Sequence, residues 1–208
     1  MPERSSAADQ SIGQAPGDLA IVQRFVNTRD IELAIDDLTT PAALAEWLAV
    51  AGLIPRPPIV HRPDLELALD LREALRGVLR AHAGHGSAPE AARQLGAIAS
   101  DFAIVLRVEP DGRVRPAETS VGVRSGLVRL LLIAAEAGTA GTWSRLKACS
   151  ADDCQWAFYD RSPTRNGCWC SMQICGSRAK SRAYRRRTAA TREPATASRS
   201  ARTAARGA

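Results

Sequence analysis

The sequence predicts an α+β fold: a mainly helical N-terminal domain with one β-hairpin, then a small cysteine-rich module that leads into a basic helix. Segments with helical apolar stripes fill much of the first 140 residues, and an Asp-Gly turn separates two β-branched segments among them. All five cysteines of the 208-residue chain follow between residues 149 and 175. We expect a flexible leader at 1–17, an α+β domain at 18–140, the cysteine-rich module at 141–188 and a disordered basic tail at 189–208.

Two helices are predicted from the residues that begin them. Thr40 followed by Pro41 favours a helix start, because threonine caps the first turn and proline fits the first helical position. Asp64 can cap a second helix, in which leucines supply an apolar stripe. The arginines of that helix, including Arg72 and Arg76, are expected to face solvent.

The remaining elements of the first domain follow from periodicity and turn signals. Residues 19–28 are apolar enough for a buried strand or a short helix, and periodicity does not choose between them. A short helix is predicted near 90–100. Asp111-Gly112 predicts a tight β-hairpin, and the apolar segment 120–137 is expected to be the central helix of the domain.

The N-terminus carries no apolar segment of the kind a signal peptide needs, so we expect an unprocessed leader. No apolar run reaches the roughly 18 residues of a membrane helix. A cytoplasmic, reducing location without membrane association follows as the expectation. Structural disulfides are rare in such a compartment, which affects how the cysteines are interpreted.

Charge divides the chain unevenly. Residues 1–141 carry 14 Lys+Arg against 18 Asp+Glu, whereas residues 142–208 carry 14 against 4, so the net charges are −4 and +10. A basic C-terminal part of this kind indicates a polyanionic partner, with nucleic acid first among the candidates. A solubilising tail is the alternative.

The cysteines form two close pairs, Cys149 with Cys154 and Cys170 with Cys175, separated by fifteen residues. Two such pairs can supply the four thiolates that a structural zinc ion takes in a tetrahedron, which predicts a treble-clef-like zinc module. Disulfides, free thiols and an iron–sulfur site are the alternatives. Cys168 is two residues from Cys170, so only one of them can be a ligand; we choose Cys170, because a helical stretch begins at Ser171.

Two aromatic residues lie between the cysteine pairs. Trp156 and Phe158 would share one face of a short strand. We expect them to form the small apolar core of the module, with stacking on nucleic-acid bases as the alternative.

A basic helix is predicted after the last cysteine. At 100° per residue, Arg178, Arg182 and Arg185 fall on one side of it, a shape suited to a phosphate backbone or a groove. A solvated basic face is the alternative. The predicted nucleic-acid-binding residues are Arg178, Lys180, Arg182, Arg185, Arg186 and Arg187.

Residues 145–187 resemble the CGNR zinc-finger family. The shared features are the two wide cysteine pairs, a W-x-F-x-D between them, WCSM at the third ligand and a CG-x-R-x-K start to the basic helix. Ser177 stands where the family usually has asparagine, and Cys168 where a basic residue usually precedes WC. The zinc ligands that the resemblance implies, for one structural zinc per chain, are Cys149, Cys154, Cys170 and Cys175.

The N-terminal part is similar to the ABATE domain that usually accompanies this finger, through FVNT at 25–28 and the segment 36–53. The resemblance implies transcription regulation by binding double-stranded DNA. The N-terminal domain would sense a small-molecule effector or form a homodimer. An RNA-binding protein, and a protein-interaction adaptor in which zinc is purely structural, are the two alternatives.

An enzyme is not expected, because nothing in the chain resembles a catalytic constellation. The histidines are His61, His82 and His85, and the last two flank a loop rather than form a metal pair. Asn27 is expected to cap a turn rather than contact a ligand.

Overall fold

The computed structural model describes residues 13–55 and 59–190. Within them the helices are α1 Leu19–Val26, α2 Pro41–Val50, α3 Arg62–His82, α4 Ala88–Ala99, α5 Val123–Thr139 and α6 Ser177–Ala190. The antiparallel strand pairs are β1 Arg29–Asp30 with β2 Ile35–Asp36, β3 Ile104–Val108 with β4 Val114–Glu118, and β5 Leu146–Ala148 with β6 Ala157–Tyr159. The mainly helical α+β class is therefore confirmed.

The segment 19–28, for which the sequence left helix and strand open, forms helix α1. Val22, Phe25 and Val26 are fully buried on it, and the ring of Phe25 lies 5.2 Å from that of Trp47 on α2. This spacing of three and four residues is the apolar stripe of a helix that faces a core.

Helix α2 begins as the sequence predicts. The Thr40 hydroxyl accepts a hydrogen bond from the Ala43 amide, and Pro41 occupies the first turn. The chain leaves the helix through Gly52, whose φ of +71° is accessible to glycine at little cost.

Helix α3 corrects one expectation about its surface. It begins at Arg62, and Asp64 in its first turn accepts from the His61 amide at 3.1 Å. Arg72 and Arg76 are not on a wet face, since each is only 2% exposed. Helical periodicity placed them opposite the leucines, but α3 is covered on both sides, and partners elsewhere in the fold satisfy both guanidinium groups.

Helix α5 is the buried helix that the sequence predicted, with Leu127, Val128 and Leu130 fully enclosed. Gly126 lies against α2: a Cβ at this position would be 3.1 Å from a methyl of Leu48 and 3.3 Å from Ile54. The glycine therefore permits close approach of the two helices.

The predicted β-hairpin is present as β3 and β4, joined by a turn that contains Gly112 at a φ of +80°. Arg107 and Arg115 lie directly opposite each other in its register. Leu106 and Val108, on the other side of the same strand, are largely exposed.

The last strand pair shares its core with the N-terminal helices. Leu146 and Ala157 are fully buried in the same apolar cluster as the residues of α1 and α3. The predicted boundary at 140/141 therefore does not separate two cores. Independent folding of 18–140 and 141–188 stays a prediction.

Residues 13–17, part of the predicted flexible leader, make contacts with the rest of the fold. The carbonyl of Gly13 accepts from the Tyr159 amide at 2.7 Å, and Ala15 is buried. The expectation of a flexible leader is wrong for residues 13–17, whereas 1–12 lie outside the described residues. The predicted tail at 189–208 lies outside them too, apart from positions 189 and 190, where α6 ends.

The described chain divides into two compact units after Ser171. The second begins with a π-helical turn, Met172–Gly176, and continues as α6. The Ser177 hydroxyl donates to the Met172 carbonyl at 3.2 Å, which links the turn to the helix. None of the helices in the described ranges is both long and apolar enough to cross a bilayer.

Candidate metal centre and basic helix

The first cysteine pair lies on a tight turn between β5 and β6. Cys149 follows β5 directly, and its amide donates to the Trp156 carbonyl at 3.0 Å. The Cys154 amide donates to the Ala151 carbonyl at 3.0 Å, which folds the four intervening residues into a compact loop. Gln155 then takes a φ of +52°, a left-handed conformation uncommon for a residue with a Cβ.

The structure brings together the four cysteines that the sequence selected. The sulfur atoms of Cys149, Cys154, Cys170 and Cys175 all lie within 4.8 Å of one another. The sulfurs of Cys154 and Cys170 are 3.7 Å apart. Four thiolates at about 2.3 Å from a tetrahedral zinc are separated by about 3.8 Å, so the donor set and its spacing fit zinc. Cys168 is half-buried and does not belong to the group.

The electrostatics of the cluster also suit a cation. Hydrogen bonds from the thiols of Cys154 and Cys170 lower the pKa of Cys149 to about 2. The same contacts with Cys149 raise the pKa values of Cys154 and Cys170, because close sulfurs resist sharing more negative charge. A divalent cation removes that conflict and lets thiolates form.

A buried ion pair shapes the loop between the two cysteine pairs. The Lys147 ammonium donates to Asp160 at 2.9 Å and to the carbonyls of Arg165 and Gly167 at 2.6 and 3.0 Å. Asp160 also accepts from the amides of Ser162 and Gly167. Burial alone would raise the pKa of Asp160, but these hydrogen bonds and Lys147 outweigh it and hold the pKa well below its ordinary value.

The ion pair also explains the path of the chain toward the third cysteine. A Cβ on Gly167 would lie 3.0 Å from the Asp160 carboxylate, so only glycine fits against it without displacement. The Cys168 carbonyl accepts from the Ser150 amide at 2.9 Å, which fastens the loop to the first pair. In the sequence, Asp160 stands out only as part of W-x-F-x-D. Lys147 lies within β5 and Asp160 directly follows β6, and such oppositely charged residues on two short apolar segments were the signal for this role.

The aromatic residues between the pairs differ in exposure. Phe158 is buried at 4%, whereas Trp156 is only half-buried. The core role predicted for both is therefore met by Phe158. Base stacking by Trp156 stays an alternative.

Asn27 ends α1 as its C-cap residue, and its side chain contacts the cysteine-rich segment. Its side-chain oxygen accepts from the Ala157 amide at 2.7 Å, and its side-chain nitrogen donates to the Ala157 carbonyl at 3.0 Å. Asn27 thus occupies the expected capping position at the end of α1, but its side chain bonds to the backbone at the edge of β6. A sequence gives no sign of such a long-range pairing.

The predicted nucleic-acid-binding residues all lie on α6. Those exposed to solvent are Arg178, Lys180, Arg185, Arg186 and Arg187. Arg182 is half-buried. Arg178, Arg182 and Arg185 line one groove of about 520 Å³, which matches the grouping expected from helical periodicity.

The histidines do not form a metal site among the described residues. His82 Nδ1 bonds with the Leu146 carbonyl at 2.9 Å, and its ring meets that of Trp143 edge-on. Burial lowers the pKa of His82. His61 precedes α3, and His85 is exposed.

The fold and the four-thiol cluster define a zinc-finger protein. Residues 145–188 match the CGNR zinc finger, and one structural zinc ion is its cofactor. The chain belongs to the ABATE family, described as "Putative stress-induced transcription regulator", whose model matches residues 19–141. Both resemblances seen in the sequence are thus confirmed. Comparison with curated proteins finds no match.

Neither family description names a reaction. The family identifies regulation of transcription as the functional class.

Proposed function

We propose that the chain regulates transcription by binding double-stranded DNA through helix α6, with zinc in a structural role. The zinc ligands in this proposal are Cys149, Cys154, Cys170 and Cys175. The observation that carries it is the basic surface of α6, which combines six Lys and Arg residues with no acidic residue between 172 and 190.

The arrangement of these side chains suits a phosphate backbone. Arg178, Arg182 and Arg185 line a groove together with the hydroxyl-bearing Ser177 and Ser181. Arginine, serine and threonine side chains are frequent donors to phosphate oxygens in protein–DNA complexes. Arg178 is the proposed base-reading residue, because it lies three residues after Cys175 and arginine pairs in a bidentate manner with guanine.

A direct experiment separates DNA from the alternatives. The full-length zinc-loaded protein is titrated into a random-sequence duplex DNA and, separately, into a structured RNA of equal charge. Both titrations are repeated at several salt concentrations. We expect tighter binding to the duplex and a steep decline with salt, since phosphate contacts release counterions. Preference for the RNA would favour the RNA-binding alternative, and binding to neither would favour the adaptor.

A cleft in the N-terminal part offers a candidate site for the predicted effector. It has a volume of about 550 Å³, within the range of small-molecule sites. Its charged lining consists of Arg107, Arg115, Arg129, Asp18, Glu109 and Glu136. Balanced charge of this kind suits a small polar molecule that carries both signs.

The effector site can be tested by thermal denaturation with a panel of zwitterionic metabolites. A ligand of the cleft should raise the Tm of the wild type and not that of Arg115→Ala. A panel that leaves the Tm unchanged would remove support for this site. The predicted homodimer is tested separately by sedimentation equilibrium.

A further inference from the structure

The first zinc-ligand pair is held in place by polar side chains of the N-terminal helices. Asn27, directly after α1, makes both of its hydrogen bonds to Ala157 described above. Ala157 opens β6 three residues after Cys154, and it pairs with Ala148, the residue before Cys149. The side-chain amide thus replaces the peptide group of a neighbouring strand next to the cysteine turn.

Gln23, one helical turn before Asn27, extends this contact. Its side-chain nitrogen donates to the carbonyls of Ala157 and Gly13, both at 3.1 Å, and its oxygen accepts from the Ala15 amide at 2.7 Å. Gly13 in turn accepts from the Tyr159 amide. Helix α1 and residues 13–15 therefore supply hydrogen-bond partners for the backbone groups at the edge of β6.

Arg76 of α3 reaches the cysteine turn from another direction. Its guanidinium donates to the Gln155 carbonyl at 3.0 Å, to the Val26 carbonyl at 2.7 Å and to Glu73 at 3.0 Å. Gln155 is the residue in the left-handed conformation, directly after Cys154. The next residue, Trp156, accepts from the Cys149 amide through its carbonyl at 3.0 Å. Arg76 thus fixes the peptide that links Cys154 to the residue paired with Cys149.

Arg80, one turn further along α3, contacts the same loop. Its guanidinium donates to Asp152, between Cys149 and Cys154, at 2.7 Å. This pair is more exposed than that of Arg76, so we assign it less importance.

We propose that Arg76 and Asn27 are positioning residues of the zinc site, which couple metal binding by the cysteines to the packing of α1 and α3. Groups that orient a metal ligand without touching the metal commonly alter metal affinity when they are changed. Coupling of this kind is reciprocal, so bound zinc stabilises the contacts of α1 and α3 in return. The proposal concerns the metal site and holds whichever nucleic acid α6 binds.

Arg72 provides a matched control for Arg76. It lies on the same helix one turn earlier and is equally buried, but its hydrogen bonds run to Thr28, Asp36 and Glu73 in the N-terminal part. A lysine at either position keeps the charge and removes the several directed donors of a guanidinium. We therefore expect both variants to lose a similar amount of stability. Only the Arg76 variant also loses a contact with the cysteine turn.

The test is a cobalt(II) titration of metal-free full-length protein, read from the thiolate-to-cobalt absorption bands. Arg76→Lys should raise the Kd for cobalt about tenfold, whereas Arg72→Lys should change it less than about threefold. An equal effect of the two variants would show that general stability, not positioning, sets the affinity, and would overturn the proposal.

A second pair of variants covers the case in which Arg76→Lys does not fold. Asn27→Asp keeps the acceptor for the Ala157 amide and removes the donor to its carbonyl. Asn166→Asp, on the exposed loop of the finger, is its control. The cobalt Kd should rise several-fold for Asn27→Asp alone, and unchanged affinity in that variant would overturn the proposal.

Discussion

Arginines on two helices of this chain have opposite surroundings. On α3, the side chains of Arg72 and Arg76 are 2% and 3% exposed and bond to carboxylates and backbone carbonyls. On α6, Arg178, Arg185 and Arg186 are exposed on a surface without acidic residues. The first set completes the fold, and the second faces solvent.

The difference shows that helical periodicity alone does not identify the role of a basic residue on a helix. On α3 the burial cost of the guanidinium groups is offset by Asp36, Glu73 and the end of α1. Burial alone would raise the pKa of Asp36, but the hydrogen bond and charge of Arg72 outweigh this effect. The net pKa is therefore lowered, as expected for a favourable ion pair. Charge on α3 therefore serves stability, and charge on α6 is expected to serve binding.

Removal of a zinc ligand should have the largest effect. Cys170→Ser should abolish binding of the ion, and with it a large part of the binding energy that folds the finger, about 10 kcal/mol or more in small zinc modules. Cys168→Ser should keep close to one equivalent of zinc. Elemental analysis of both purified variants checks this, and zinc retained by Cys170→Ser but absent from Cys168→Ser would show that the wrong thiol was chosen.

Removal of a buried guanidinium should rank second. Arg72→Met leaves Asp36 without its partner, and we expect a decrease of about 3 kcal/mol in the free energy of unfolding, measured with urea. Arg185→Ala on α6 should stay within about 0.5 kcal/mol of wild type. Similar decreases in the two variants would contradict the division of roles between the helices.

The Lys147–Asp160 pair predicts a pH-dependent stability. Asp160→Asn leaves Lys147 buried without a counter-charge, so a cost of about 3 kcal/mol is expected at neutral pH. Because the folded pKa of Asp160 is lowered, its contribution is complete above the unfolded value near 3.9 and declines as pH falls below it.

The measurement for this prediction is the difference in urea midpoint between wild type and Asp160→Asn as the pH is lowered. The difference should narrow on passing below about pH 4, where unfolded Asp160 takes up a proton. Zinc release through thiol protonation affects both proteins and cancels in the difference. A constant difference would show that the charge of Asp160 is not what stabilises the loop.

Local signals were sufficient for much of this molecule. Thr40 and Pro41 predicted the start of α2, Asp111-Gly112 predicted the hairpin, and the cysteine spacing predicted the four-thiol cluster, because each depends on residues close in sequence. Burial of Arg76 and the contact of Asn27 with Ala157 depend on pairings across 79 and 130 residues. Helical periodicity cannot identify such partners, so the sequence placed Arg76 wrongly on the solvent face and did not reveal the contact of Asn27 with Ala157.

The same limit explains the boundary between the two segments. Composition changes sharply near 141, and the family models meet between 141 and 145. The core nevertheless continues across that point through Leu146 and Ala157. A change in composition along the chain marks where two sequence families join. It does not show where one apolar core ends and another begins.

The central claim, that α6 supplies the contact with DNA, is tested most directly by the salt dependence of duplex binding. Arg182→Ala combined with Arg186→Ala should weaken binding and reduce the slope of log K against log salt by up to about two, roughly 0.9 for each phosphate that is no longer neutralised. Arg93→Ala combined with Arg113→Ala, which removes two exposed arginines outside α6, should leave the slope at its wild-type value. Wild-type affinity and slope in the Arg182/Arg186 variant would contradict the claim.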